Sequence, residues 1–111
     1  MPWLVRDGQV LASLEVAEHR RDRRRGLLGR DEFFGALLLR PARSVHTIGM
    51  RFSIDVAFIG PQDQVLDLVH MRPGRVSRPR WGSRSVLEAS AGSFERWGLI
   101  PGDVVEVAVD G

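Results

Sequence analysis

A histidine, an arginine and an aspartate with acid-base and anion-binding chemistry lie within ten positions of one another, at His46, Arg51 and Asp55. Imidazole can exchange a proton near neutral pH, and a guanidinium group can hold an anion. In an extended strand Arg51 and Asp55 would share a face but stand roughly 13 Å apart, so they would not touch. The residues therefore favour a structural interpretation, with Asp55 bonding backbone amides and His46 packed, over catalysis by His46 and Asp55.

Arginine is concentrated in two stretches of the chain. Residues 19–30 carry six arginines against one aspartate, and residues 70–84 carry five against no acid. Everything else holds five arginines and thirteen carboxylates, so the charge should be unevenly distributed over the surface. In the second stretch the arginines surround Trp81, an arrangement that can pair with anions and stack on flat rings. The predicted anion-binding residues are Arg51, Arg72, Arg75, Arg78, Arg80, Trp81 and Arg84.

Three classes of function remain open. The leading hypothesis is a non-catalytic binding or accessory module whose ligand contacts come from residues 70–84 and 46–55. Its partner would be an anionic ligand or an acidic protein surface, whereas nucleic acid is less favoured because no recognised motif is present and the net charge is only +2. The alternatives are a small enzyme using His46 and Asp55, and a structural partner in a larger protein assembly. The oligomeric state stays open, and the loop arginines could instead pair with the protein's own carboxylates.

Several kinds of chemistry are excluded by missing residue types. All 16 basic residues are arginine, and lysine, cysteine and tyrosine do not occur. The chain therefore has no Schiff-base lysine, Walker A lysine, thiol nucleophile or tyrosyl nucleophile. The histidines at 19, 46 and 70 lack the spacing of metal ligands, and no serine lies in a nucleophile-elbow motif. We predict neither a metal site nor a cofactor.

The elements that must position these residues are mainly strands. An Asp-Gly pair at 7–8 between two apolar runs predicts a hairpin. Strict alternation from 52 to 58 predicts a strand whose four apolar side chains, Phe52, Ile54, Val56 and Phe58, all point inward. Further strands are predicted at 10–16, 36–39, 45–48, 65–69, 86–89 and 103–109, short helices at 17–29 and 93–98, and a long loop at 70–84. The fold class is mainly β, a small barrel-like or sandwich domain of about seven short strands with one or two short helices.

Length and composition predict one domain spanning 1–111. A chain of 111 residues with 43% hydrophobic residues is of the usual size for a single core. Its first residues lack the pattern of a secretory signal, and no apolar stretch approaches the roughly 18 residues that a membrane helix needs. These features predict a soluble, cytoplasmic protein that does not engage a membrane.

Four motifs, taken in order, carry a resemblance to a known family. They are Arg25-Gly26-Leu27-Leu28-Gly29-Arg30, then His46-Thr47-Ile48-Gly49-Met50-Arg51-Phe52-Ser53-Ile54-Asp55-Val56-Ala57-Phe58-Ile59, then Val86-Leu87-Glu88-Ala89 with Ala91-Gly92, and finally Gly98-Leu99-Ile100-Pro101-Gly102-Asp103-Val104-Val105. From about Leu14 to Val107 the chain resembles the prokaryotic family called domain of unknown function 192 (DUF192), or uncharacterised protein family 0127 (UPF0127). Many members carry Trp-Met-Lys-Asn-Thr where this chain has residues 46–50. The resemblance implies a β-rich, barrel-like fold and no established catalytic activity.

Overall fold

The fold begins with the predicted hairpin. In the computed structural model, which describes residues 2–109, Asp7 and Gly8 both have positive φ, at 51° and 78°. Positive φ at both central residues is the type I′ turn, whose twist suits a two-residue hairpin. The turn joins β1 (Pro2–Arg6) to β2 (Gln9–Ala17) in an antiparallel pair. The N-terminal hairpin is therefore confirmed.

A short helix carries the chain across to a parallel strand. Helix α1 (Arg20–Arg25) ends at Gly26, whose N–H donates to the carbonyl of Asp22 and whose φ of 48° lies in the left-handed region. The chain then returns to β3 (Ala36–Leu39), which pairs parallel with β2. Parallel neighbours require such a crossover. No residue of α1 is buried.

The remaining strands complete one seven-stranded sheet. They are β4 (Ile54–Ile59), β5 (Val65–Met71), β6 (Ser85–Ser90) and β7 (Glu106–Val109), with helix α2 (Ser93–Trp97) between the last two. The strand order is β5-β4-β6-β3-β2-β1-β7. The sheet is not closed, but the N–H of Val65 donates to the carbonyl of Asp103 at 2.7 Å, and the carbonyl of Val65 accepts from the N–H of Gly102 at 2.8 Å. These bonds bring the start of β5 to the segment before β7, which gives the barrel-like curl.

Central strands bury both faces. In β4 the side chains of Val56 and Phe58 enter one apolar cluster, and those of Ala57 and Ile59 enter the other. The first cluster also holds Leu27, which follows α1, and the second holds Phe94 of α2. The sheet is therefore covered on both sides, as period-two alternation of side chains requires for such strands.

The inward prediction for the alternating segment is confirmed. Ile54, Val56 and Phe58 are each 0% exposed, and Phe52 is partly buried against the same cluster just before β4 begins. The strand predicted at 10–16 is present within β2, but the side chain of Val10, near the start of β2, is 60% exposed. Only the part of β2 that pairs with β3 is covered well.

Four predicted boundaries were wrong. The first helix, predicted over 17–29, spans Arg20–Arg25, because Ala17 continues β2 and Gly26 ends the helix. Residues 45–48 do not form a strand. They make one isolated β-bridge, between His46 and Val76, and the backbone hydrogen bonds of Val45 and Thr47 are made with loop residues 74–77. Strand β5 continues to Met71, which pairs with Ile54, so the loop predicted from residue 70 begins at 72. The last strand begins at Glu106 because its ladder with β1 extends no further back. Within residues 2–109 no helix is long and apolar enough to cross a bilayer.

Candidate functional site

The long basic loop is anchored by one buried threonine. Thr47 is 0% exposed, and its hydroxyl donates to the carbonyl of Arg72 at 2.6 Å and accepts from the backbone N–H of Arg75 at 2.9 Å. Backbone bonds from Thr47 to Arg75 and Gly74 reinforce this attachment. Ser77 adds a second anchor, because its side chain accepts the N–H of Val45 at 2.9 Å. The loop is thus an ordered, hydrogen-bonded segment that can present side chains in fixed positions.

Four of the five sequence-predicted loop arginines surround or border one cleft. Arg72, Arg75, Arg78 and Arg80 line a depression of about 360 Å³, which we call the loop cleft. Arg72, Arg75 and Arg78 are exposed, and within residues 2–109 none of the three side chains pairs with a carboxylate. A cleft lined by guanidinium groups without internal partners is suited to an anion.

Arg80 differs from its neighbours because the protein itself occupies its guanidinium group. It donates to Asp67 at 2.9 Å, donates to the carbonyl of Arg78 at 2.7 Å, and lies 4.4 Å from the ring centre of Phe58. Phe58 is fully buried, so Arg80 covers the core edge. Its contacts are those of a structural residue at the base of the loop cleft.

A second cavity lies between α1 and the segment that follows β3. Its volume is about 370 Å³, and we call it the Glu88 pocket. The charged residues that line it, besides one glutamate, are Arg20, Arg23, Arg24, Arg25, Arg43 and His46. Leu27, Leu39, Val45 and Met50 supply apolar lining. A basic rim over an apolar wall is the composition of a small-ligand site.

Glu88 is the buried acid of this pocket. It belongs to β6 and is only 3% exposed, and its carboxylate oxygens lie beside the space in front of Gly26, where a Cβ would meet them at 3.6 and 3.9 Å. Among residues 2–109 no side chain forms an ion pair or hydrogen bond with it. Burial raises the pKa of Glu88 to about 7, because the charged form has lost its water. The carboxyl group therefore gains and loses a proton near neutral pH.

The loop cleft and the Glu88 pocket are neighbours. Val76 lines both, and it pairs across the isolated bridge with His46, which also lines the Glu88 pocket. Both residues are exposed, with Val76 at 68%, so the prediction that His46 is packed was wrong. The two arginine-rich stretches of the sequence thus meet on one side of the molecule, which we call the basic face: the loop cleft, the Glu88 pocket and the His46–Val76 bridge.

The aspartate predicted as an acid-base partner lies elsewhere. Asp55 Oδ2 accepts the N–H groups of Gly92 and Phe94 at 3.0 and 3.1 Å, which holds the start of α2. Its other oxygen lies 3.5 Å from Nδ1 of His70. Asp55 and His46 line different cavities, so the structure does not bring the proposed catalytic pair together. The contacts of Asp55 are those of the structural interpretation.

Three other predicted ligand residues lie outside both cavities. Arg51 pairs with Asp31 on the surface, Trp81 is 77% exposed, and Arg84 is exposed without a carboxylate partner among residues 2–109. None of them lines the loop cleft or the Glu88 pocket. In the same described range, no three His, Asp or Glu side chains converge as metal ligands would.

Comparison with known proteins places the chain in a family. The model of DUF192, described as an uncharacterized ACR family, matches residues 3–107. The chain belongs to this family. The DUF192 resemblance of the four sequence motifs is thereby confirmed, and three of those motifs supply residues to the Glu88 pocket: Gly26, His46 and Glu88 itself.

Proteins similar to this DUF192 chain supply no function for it. A UPF0127 protein of Pyrococcus furiosus is 33% identical over 63 residues, which are 57% of this chain and 54% of that protein, so the match spans about half the relative's length. A Novosphingobium aromaticivorans protein of unknown function has a TM-score of 0.81 at 21% identity, covering 95% of this chain and 82% of its own. A proposed transcription regulator of Sinorhizobium meliloti has a TM-score of 0.79 at 22% identity, covering 96% and 91%. At these identities the structures establish the fold alone.

Sequence reasoning missed Glu88 as a site residue. The local signal was a single carboxylate within the apolar run Val86-Leu87-Glu88-Ala89, but alternation alone would place it on a solvated face. Its carboxylate lies beside Gly26, which is 62 positions earlier in the DUF192 chain. Only the tertiary structure brings the two together.

Proposed function

We propose that this DUF192 protein is a non-catalytic binding module that recognises an anionic ligand or an acidic protein surface through its basic face. The observation that carries the proposal is the meeting of the two arginine-rich stretches around Val76, which lines the cavities of both. Guanidinium groups recognise carboxylates and phosphates by paired hydrogen bonds. The ligand-contacting residues of the loop cleft are Arg72, Arg75 and Arg78.

The unpaired charges of the loop arginines support binding of an anionic partner over pairing with the protein's own carboxylates. Some arginines elsewhere on the molecule pair with the protein's own acids: Arg6 pairs with Asp103, Arg30 with Glu15 and Arg40 with Glu18. Within residues 2–109, Arg80 is the one loop arginine whose side chain pairs with a carboxylate, that of Asp67. Like charges held close together repel one another, and an anionic partner relieves that repulsion.

A binding titration tests this proposal. The protein is titrated with single-stranded RNA, an acidic polysaccharide and inorganic phosphate at low and moderate salt. A double variant, Arg72→Ala with Arg75→Ala, lowers the net charge by two, and so does the matched control Arg96→Glu on α2, whose guanidinium donates to Ser93. We expect salt-sensitive binding of at least one probe, weakened about tenfold or more by the double variant. The control should bind within about twofold of wild type.

Two results would overturn the binding proposal. One is the absence of binding by any probe at low salt. The other is an equal loss in the double variant and in the control, which would show that binding follows net charge and not the loop cleft. Preference among the three probes identifies the class of partner.

A further inference from the structure

The Glu88 pocket contains one acid, Glu88, among basic side chains. A buried carboxyl group normally has hydrogen-bond or ion-pair partners, because burial without them costs free energy. Glu88 is 3% exposed and has neither kind of partner among residues 2–109. Glycine at position 26, with φ of 48°, leaves the space directly in front of the carboxylate oxygens without a side chain. The carboxyl group thus borders the cavity and is available to a bound molecule.

The rim determines the charge of that molecule. Every other charged or titratable side chain that lines the pocket is basic, comprising four arginines of α1, then Arg43 and His46 on the segment after β3. Arg20, Arg24, Arg25 and Arg43 have no carboxylate partner within residues 2–109. A cation entering this cavity would be repelled, whereas an oxyanion would be attracted. An anion beside an ionised Glu88 would be repelled too, so the glutamate must be in its neutral form.

We propose that the Glu88 pocket binds a small oxyanion, a carboxylate or a phosphate-like group, with rim arginines neutralising its charge and the protonated Glu88 carboxyl group donating a hydrogen bond to one of its oxygens. The inference deepens the anion-binding function and adds a second site, with its own residues, to the loop cleft. The raised pKa of about 7 means that protonation of Glu88 requires little free energy at neutral pH. Anion binding at this site therefore takes up a proton.

The pH dependence of binding has a definite sign. Glu88 with a pKa of about 7 is mostly protonated at pH 6 and mostly ionised at pH 8. Since only the protonated form donates to the anion, the affinity should fall about tenfold between these pH values, in proportion to the protonated fraction. Glu88→Gln keeps a hydrogen-bond donor of similar shape at every pH. Its affinity should therefore be nearly independent of pH.

The experiment titrates the full chain with sulfate and, separately, with acetate at pH 6 and pH 8 in low chloride. Sulfate and acetate do not change charge appreciably over this interval, and the two probes distinguish tetrahedral from planar oxyanions. To remove any contribution of the pocket's imidazole, all proteins carry His46→Gln. We expect about tenfold weaker binding at pH 8 in this background, and a difference under about twofold once Glu88→Gln is added.

Two further variants separate this site from the loop cleft. Arg25→Ala with Arg43→Ala should weaken binding at both pH values, while Arg72→Ala with Arg75→Ala should leave the pH dependence in place. The inference is overturned if neither probe binds at pH 6, or if the affinity changes equally with pH in the presence and absence of Glu88→Gln. Should Glu88→Gln fail to fold, proton uptake on sulfate binding at pH 7 replaces it, measured calorimetrically in two buffers of different ionisation enthalpy; no uptake would also overturn the inference. If the titration proposed for the loop cleft fails while this pH dependence is observed, the function proposed for the loop cleft is overturned and the inference about the Glu88 pocket stands.

Discussion

Replacing Glu88 by glutamine should stabilise the protein, and by an amount that grows with pH. The unfolded chain ionises this carboxyl group at its ordinary pKa of 4.5, whereas the folded chain holds the pKa at about 7. Because the folded pKa is the higher one, the folded state binds the proton more tightly, and stability falls as pH rises from about 4.5 to about 7. The glutamine side chain has no charge to desolvate, so the variant does not share this loss.

The magnitude follows from the two pKa values. Their difference of about 2.5, at about 1.4 kcal/mol for each pKa unit, corresponds to about 3 kcal/mol above pH 7. Between pH 5 and pH 8 the free energy of unfolding of Glu88→Gln relative to wild type should therefore rise by about 2 to 3 kcal/mol. For a chain of this size that is a large fraction of the total stability.

Urea denaturation followed by circular dichroism measures this difference. Wild type, Glu88→Gln and the exposed control Glu32→Gln are unfolded at pH 5, 6, 7 and 8 in chloride buffer free of oxyanions, so that ligand binding does not contribute. The control should follow wild type at every pH. A constant difference between Glu88→Gln and wild type across the four pH values would refute the account of Glu88 as a buried, unpaired acid.

Further outcomes concern residues that hold the site in place. Asp55→Asn should lower the free energy of unfolding by about 1 to 2 kcal/mol, because the charged acceptor for the N–H groups of Gly92 and Phe94 is lost; urea denaturation measures it, and an unchanged value would contradict the capping role. Arg80→Ala should lower the free energy of unfolding by about 1 kcal/mol or more, because Arg80 bonds Asp67 and covers Phe58. Arg78→Ala should change it by less than about 0.5 kcal/mol; urea denaturation of both variants measures this, and equal effects would contradict the structural role of Arg80. Gly35→Ala should cost about 2 kcal/mol or more, as its Cβ would lie 2.8 Å from the backbone oxygen of Ser13; a melting temperature equal to wild type would show that β2 and β3 separate easily.

Local patterns were sufficient to predict much of the sheet. The Asp7-Gly8 pair has the residue types that a type I′ turn requires, and the turn is there. The alternation around Val56 correctly identified one buried face of β4. It did not reveal that Ala57 and Ile59 are buried as well, because a second covering layer is a property of the tertiary structure.

The site was predictable only in part. Charge counting located both arginine-rich stretches, yet their meeting around Val76 depends on the anchoring of the loop by Thr47, a contact between residues 25 positions or more apart in sequence. Segment 45–48 has strand-like residues, but its bonds go to the loop and not to a strand. Arg80 has the same residue type as Arg78, and only the placement of Asp67 and Phe58 gives it a structural role. Residue type and spacing could not separate these cases.

The basic face is tested most directly by observing the arginines themselves. Two-dimensional NMR of the guanidinium Nε–Hε groups, assigned by single substitutions, can follow all 16 arginines while inorganic phosphate is added at pH 6 and low salt. The account predicts that the shifted signals belong to the loop cleft and the Glu88 pocket, with Arg72, Arg75 and Arg78 among them, while Arg6 and Arg96 stay unchanged. Equal shifts across all arginines, or shifts that leave out the loop cleft, would contradict it.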